Sequence, residues 1–163
     1  MRKLTEDDRR VCAMQAELFE ASLEYSDCGS AVFVRRFMRS DLARRMDLGT
    51  ALFESFELSQ AVREVDAQFG GSGYGSERYA ANEMHWMGYV YRHWCLEYNL
   101  TSKAVYKLIG ARELRGLYYP YHSLDASQAI ARIQEAKEIP QDKRSIAYGV
   151  ERLRVIRARH STT

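Results

Sequence analysis

The stretch Met84-His85-Trp86-Met87-Gly88-Tyr89-Val90-Tyr91-Arg92-His93-Trp94-Cys95-Leu96-Glu97-Tyr98 decides the fold class. Trp86, Val90, Trp94 and Glu97 trace one face of a helix, and Met84, Met87, Tyr91, Cys95 and Tyr98 trace another. Apolar groups thus surround most of the circumference, the mark of a helix at the centre of a fold. The pattern predicts a helix that opens at Ser76-Glu77 and runs to about Tyr98. Gly88 within it costs about 1 kcal/mol relative to alanine. A close crossing with another helix would offset that cost.

Upstream, Thr5 followed by Glu6, Asp7 and Asp8 reads as a helix start, with a hydroxyl for the orphan amides and acids against the positive end of the dipole. Val11, Met14, Leu18, Ser22 and Tyr25 then give one stripe at helical spacing. Ser26 to Ser30 breaks the pattern. A second helix, Ala31 to Arg39, is expected to carry Val32, Phe33, Phe37 and Met38 on one side and Arg35, Arg36 and Arg39 on the other. Ser40-Asp41 caps a short helix through Leu42 and Met46, and Leu58, Ala61, Val62, Val65 and Phe69 form the cleanest amphipathic repeat. Gly70 to Ser76 holds four of the ten glycines and is expected to be a flexible loop. It lacks the lysine and the preceding strand that a phosphate-cradling loop needs.

Downstream, Thr101 caps a short helix that stops at Gly110, and a further turn ends near Gly116. Pro120 favours an extended Tyr119. Asp125-Ala126-Ser127-Gln128 reads as a capping box, opening a helix that contains Ala129, Ile130 and Ile133. A last helix is expected after Pro140, with Ile146, Val150, Leu153 and Ile156 inward. No segment alternates with a period of two. The fold class is therefore all-α, a single compact domain of about seven or eight helices over residues 1–163. Its parts are amino-terminal helices over about 5–69, the glycine loop at 70–76, a helical core at 77–138 and a basic final helix at about 142–160.

At 163 residues the chain is long enough for one well-filled core. Cys12, Cys28 and Cys95 are odd in number and lack metal-ligand spacing, which argues against a disulfide framework or zinc site and for a reducing cytoplasm. No apolar run is long enough to span a membrane. Twelve per cent of residues are aromatic and 11 are tyrosines, enough to expect some on a surface or groove as well as in the core. The net charge of +2 gives no global case for nucleic acid. Residues 142–160, however, hold six Lys or Arg against two acids.

Catalytic patterns are missing. His85 and His93 stand about 12 Å apart along a helix, too far to share a metal, and no HExxH or Glu-x-x-His arrangement occurs. No serine lies in Gly-x-Ser-x-Gly. His122, in Tyr118-Tyr119-Pro120-Tyr121-His122-Ser123, lies just ahead of a helix start and can act on an anion there or pin the loop. No second catalytic group accompanies it, so no catalytic residue, metal or cofactor is expected and an enzyme ranks last.

Met84 to Glu138 resembles a family of small helical bacterial proteins. The features that carry this are Trp86-Met87-Gly88-Tyr89-Val90-Tyr91-Arg92-His93-Trp94, Ser102-Lys103-Ala104-Val105-Tyr106-Lys107-Leu108, Tyr119 three residues before His122-Ser123, and Ile130 with Ile133. Phe33 to Ala43 with Asp47 looks like the start of longer members, and residues after Pro140 lie outside the match. Arg132 stands where the family pattern has an acid. Genes of this family tend to sit beside proteins similar to ADP-ribosyltransferase toxins, so the resemblance implies an antitoxin that binds such a partner protein. Tyr118, Tyr119, Tyr121, His122, Arg35, Arg36 and Arg39 are the expected contacts, because tyrosine and arginine make large hydrogen-bonding contacts at interfaces. The alternative is a DNA-binding regulator whose Arg152, Arg154, Arg157 and Arg159 meet phosphates.

Overall fold

The computed structural model describes residues 1–50 and 57–144. Among them the chain forms nine α-helices and no strand: α1 (Glu6–Tyr25), α2 (Ser30–Met38), α3 (Asp41–Asp47), α4 (Leu58–Gln68), α5 (Ala81–Tyr98), α6 (Ser102–Leu108), α7 (Ala111–Gly116), α8 (Tyr118–Tyr121) and α9 (Ala126–Ala136), then a 3-10 turn at Gln141–Lys143. The all-helical expectation holds. The expected final helix lies, from residue 145 on, outside the described residues.

Polar side chains at sequence-local positions start several of these helices. Thr5 Oγ1 accepts from the Asp8 amide while the Asp8 carboxylate accepts from the Thr5 amide, a reciprocal box. Arg2 donates to the same carboxylate and holds the Asp8 pKa down at about 2. Ser40, Thr101 and Asp125 accept from Ala43, Ala104 and Gln128 amides, respectively.

The α1–α5 pair is the most extensive helix contact. Gly88 sits at its closest point: a Cβ there would come within 2.7 Å of the Gln15 carbonyl oxygen and 2.9 Å of Ala16 Cα. The crossing inferred from Gly88 is therefore present, with α1 as the partner. On α1 the buried face is Val11, Cys12, Gln15, Ala16, Leu18, Phe19 and Ser22, whereas Tyr25 at the end of the expected stripe is exposed. Phe19 meets Phe33 and Phe37 edge-on, with ring centroids 6.1 and 5.1 Å apart. One apolar cluster runs from Val11 to Ile139 and includes Met84, Met87, Val90, Tyr91 and Trp94 of α5. The described parts share that core.

A polar node lies inside this apolar packing. Arg92 is fully buried; its Nε donates to Gln15 Oε1 at 2.7 Å, Nη1 to Asp47 Oδ1 at 2.7 Å and Nη2 to Ser102 Oγ at 2.8 Å. Gln15 Nε2 donates to the Gly88 carbonyl, and Asp47 accepts from both the amide and the hydroxyl of Ser102. One guanidinium thereby ties α1, α3, α5 and α6 together, with its desolvation offset by three acceptors.

Two expectations about residues 70–80 are corrected. The central helix begins at Ala81 rather than at Ser76-Glu77, and the glycine-rich segment makes defined contacts. No side chain caps α2, and loop carbonyls take that role: the Gly29 amide donates to Tyr74 and the Ser30 amide to Glu77. Gly29 and Gly75 approach so closely that a Cβ on Gly29 would lie 3.1 Å from the Gly75 carbonyl carbon. Arg78 Nη1 donates to the Ser26 and Cys28 carbonyls and Nη2 to the Leu23 carbonyl, satisfying groups at and beyond the carboxyl end of α1. These bonds hold residues 74–78 outside any helix, with Gly75 at a φ of +77°.

Candidate functional site

α7 runs into α8 through Leu117, and α8 continues for one turn to His122. Tyr119 is helical, not extended as Pro120 led us to expect. The proline occupies the third residue of α8, where an amide has no acceptor within the helix, so its missing N–H breaks no bond.

That single turn aligns side chains four apart. Tyr118 stacks on His122 with centroids 4.5 Å apart and planes at 13°. It meets Trp86 of α5 in a T-shaped arrangement with centroids 5.7 Å apart, and its hydroxyl accepts from Asn82 Nδ2 at 2.8 Å. Tyr119 is 85% exposed and stands edge-on to both Tyr118 and His122. Tyr121 instead packs half-buried against the core. Of the four residues expected around Pro120, three therefore share a surface and the fourth serves the fold.

Beside this cluster is a depression of about 570 Å³ whose walls include Glu20, Asn82, His85, Trp86, Tyr89 and Tyr118. Glu20 Oε2 lies 3.1 Å from His85 Nδ1, with both side chains half exposed. The helical pattern sets Trp86 on one face of α5 and gives no sign of Glu20, Asn82 or Tyr89 as lining residues. Trp86 and Tyr89 fall between the buried positions Met84, Met87 and Tyr91 of α5, a legible signal for an outward edge. Glu20 lies 65 residues from His85 in the chain and carried no such signal.

The chemistry available is recognition by ring faces, ring edges and a few polar groups. The cysteines offer no nucleophile: all three are buried, and burial pushes the thiol of Cys12 up to about 12, that of Cys95 to about 11 and that of Cys28 upward. Among the described residues no three of His, Cys, Asp and Glu are grouped to hold a metal ion. His93 lies 3.3 Å from Glu97 on its own helix, away from the His85–Glu20 pair.

The arginine contacts divide differently. Arg35 and Arg39 are exposed, but Arg36 is 5% exposed and donates to Asp66 Oδ1 at 3.0 Å and to the carbonyl and hydroxyl of Ser72. One residue beyond Arg35 is 100° around the helix, which brings Arg36 over α4 and makes it an internal clamp. That overturns its reading as a surface contact. Arg35 and Arg39 line a depression that shares no residue with the one at α8, so these two sets do not form one site. Arg152, Arg154, Arg157 and Arg159 lie outside the described residues. None of the helices among the described residues is long and apolar enough to cross a membrane. Comparison with family models, with curated proteins and with solved structures finds no match to this chain.

Proposed function

We propose that this chain is a non-enzymatic neutralising protein, the antitoxin of a toxin-antitoxin-like pair, and that it grips its partner with Tyr118, Tyr119 and His122 beside the groove at Trp86. The observation that carries this reading is Tyr119: a large aromatic side chain 85% exposed, edge-on to the stacked Tyr118 and His122, which themselves line an aromatic-walled depression. Exposed tyrosines beside a cleft supply the amphipathic, low-entropy contacts on which protein interfaces depend. The resemblance of Met84 to Glu138 to the toxin-neighbouring family supplies the partner class, an ADP-ribosyltransferase-like toxin, which this chain would bind as a cytoplasmic protein.

The test is co-expression of the full chain with the product of the adjacent gene. Co-purification in a fixed ratio and relief of the partner's toxicity support the reading. The Tyr119→Ala/His122→Ala double variant should weaken both while its helical circular dichroism is unchanged. A partner held equally well by that variant would place the contact elsewhere, and toxicity unrelieved by the parent chain would remove the neutralising role.

A further inference from the structure

We propose that a second surface, formed by α2, α3, α6 and the glycine-rich loop, binds single-stranded nucleic acid, with phosphates on Arg35, Arg39, Arg44 and Lys103 and a base stacked on Tyr74. Two depressions meet there. One, of about 470 Å³, is lined by Arg35, Arg39, Phe69, Ser72 and Tyr74 along with the buried Arg36. The other, of about 260 Å³, is lined by Arg39, Arg44, Asp41 and Lys103 among others. Arg39 belongs to both, so the cations form one continuous track.

The charges on this track are unmatched. Arg35, Arg39, Arg44 and Lys103 are all exposed, and none of them is ion-paired with an acid among the described residues. Arg39 lies 6.0 Å over the Tyr106 ring, which steadies its guanidinium without neutralising it. The nearby acids are mostly engaged: Asp66 with Arg36, Glu64 with Arg45 and Asp47 with Arg92. Asp41 is the exception among the lining acids. A chain of net charge only +2 therefore concentrates four available cations on one face.

The aromatic groups select the kind of polyanion. Tyr74 is 69% exposed and Phe69 37% exposed, so burial does not explain either. The backbone of Tyr74 is nevertheless held: its carbonyl accepts from the Gly29 amide at 2.7 Å, and Arg36 clamps Ser72 two residues earlier. An exposed ring on a held backbone beside guanidinium groups suits a base with a free face, which a single strand presents and a duplex conceals. An acidic protein would match the cations and use Tyr74 as well, and competition by polyglutamate tells the two apart.

The test is fluorescence anisotropy of the full chain with a labelled oligothymidine of about 15 nucleotides. Affinity should fall with salt at a log-log slope of about −2 to −3, the release expected for three or four phosphate contacts on a single strand. The Arg35→Glu/Arg39→Glu variant should weaken binding by at least about tenfold, and Tyr74→Ala by about tenfold. Reversal of an exposed arginine elsewhere, Arg132→Glu, should change affinity by no more than about twofold. Three results would overturn the proposal. The first is duplex bound as tightly as single strand together with an unaffected Tyr74→Ala variant. The second is displacement by polyglutamate as effective as by unlabelled oligonucleotide, which would assign the face to an acidic protein. The third is binding abolished by Arg152→Glu/Arg157→Glu but kept by Arg35→Glu/Arg39→Glu.

Discussion

The inward and outward sides of α5 handle polar groups in opposite ways. Inward, Arg92 is fully buried, and all three of its donor nitrogens that face the core have acceptors on α1, α3 and α6. Outward, His85 and Trp86 border a depression, and the neighbouring Tyr119 and His122 lie in solvent. A buried polar network is stabilising only when complete, because each unpaired member carries its full desolvation cost. Exposed rings contribute little to folding, so their removal should cost little stability.

Breaking the inward side should have the largest effect. Arg92→Met leaves the Asp47 carboxylate without its cation and should cost about 3–5 kcal/mol. That corresponds to a fall of roughly 10 °C in thermal midpoint. A melt indistinguishable from the parent would mean the node is not what joins α3 and α6 to α5. Gly88→Ala tests the same side through packing alone: its Cβ meets Gln15 and Ala16 backbone, which cannot rotate away. Denaturant unfolding should show a loss of about 1–3 kcal/mol.

The outward side should respond oppositely. Tyr119→Ala and His122→Ala should each alter stability by no more than about 0.5 kcal/mol, as exposed positions do, while partner affinity drops. A larger loss of stability would show that the α8 turn is structural and blur the contrast between the two sides.

The smallest effect concerns acid. Asp8 has a folded pKa near 2 against an ordinary value of 3.8, with Arg2 as the main cause. Its contribution is therefore present above about pH 4 and disappears as pH falls towards 2. Asp8→Asn should lower stability slightly at neutral pH and flatten the dependence in that acid window; chemical denaturation at several pH values reads both.

What could be read in the chain divides by range. Thr5, Ser40, Thr101 and Asp125 act on amides three residues away, so their roles were visible as local pattern. The α8 turn was misread for a related reason: the bias of Pro120 is real, but helical continuity from α7 outweighed it. The glycine loop was misread because its partners, the bare amides of α2, lie more than forty residues earlier. Half of the candidate surface was visible, Tyr118, Tyr119 and His122, since they adjoin in sequence. Glu20 and Asn82 were not, because helix packing alone brings them there.

Local pattern alone is enough for an all-helical fold, for four of its helix starts and for a central helix that must be approached closely at Gly88. These depend on periodicity, capping and the missing Cβ, properties of a residue and its near neighbours. Packing between distant segments settles that α1 fills the Gly88 notch, that Arg92 and Arg36 turn inward while Arg35 and Arg39 remain outside, and that Glu20 and Asn82 join Tyr118 at one depression. Those outcomes depend on which distant acids and carbonyls arrive within hydrogen-bonding distance. A charged side chain is buried where acceptors meet it and stays in water where they do not.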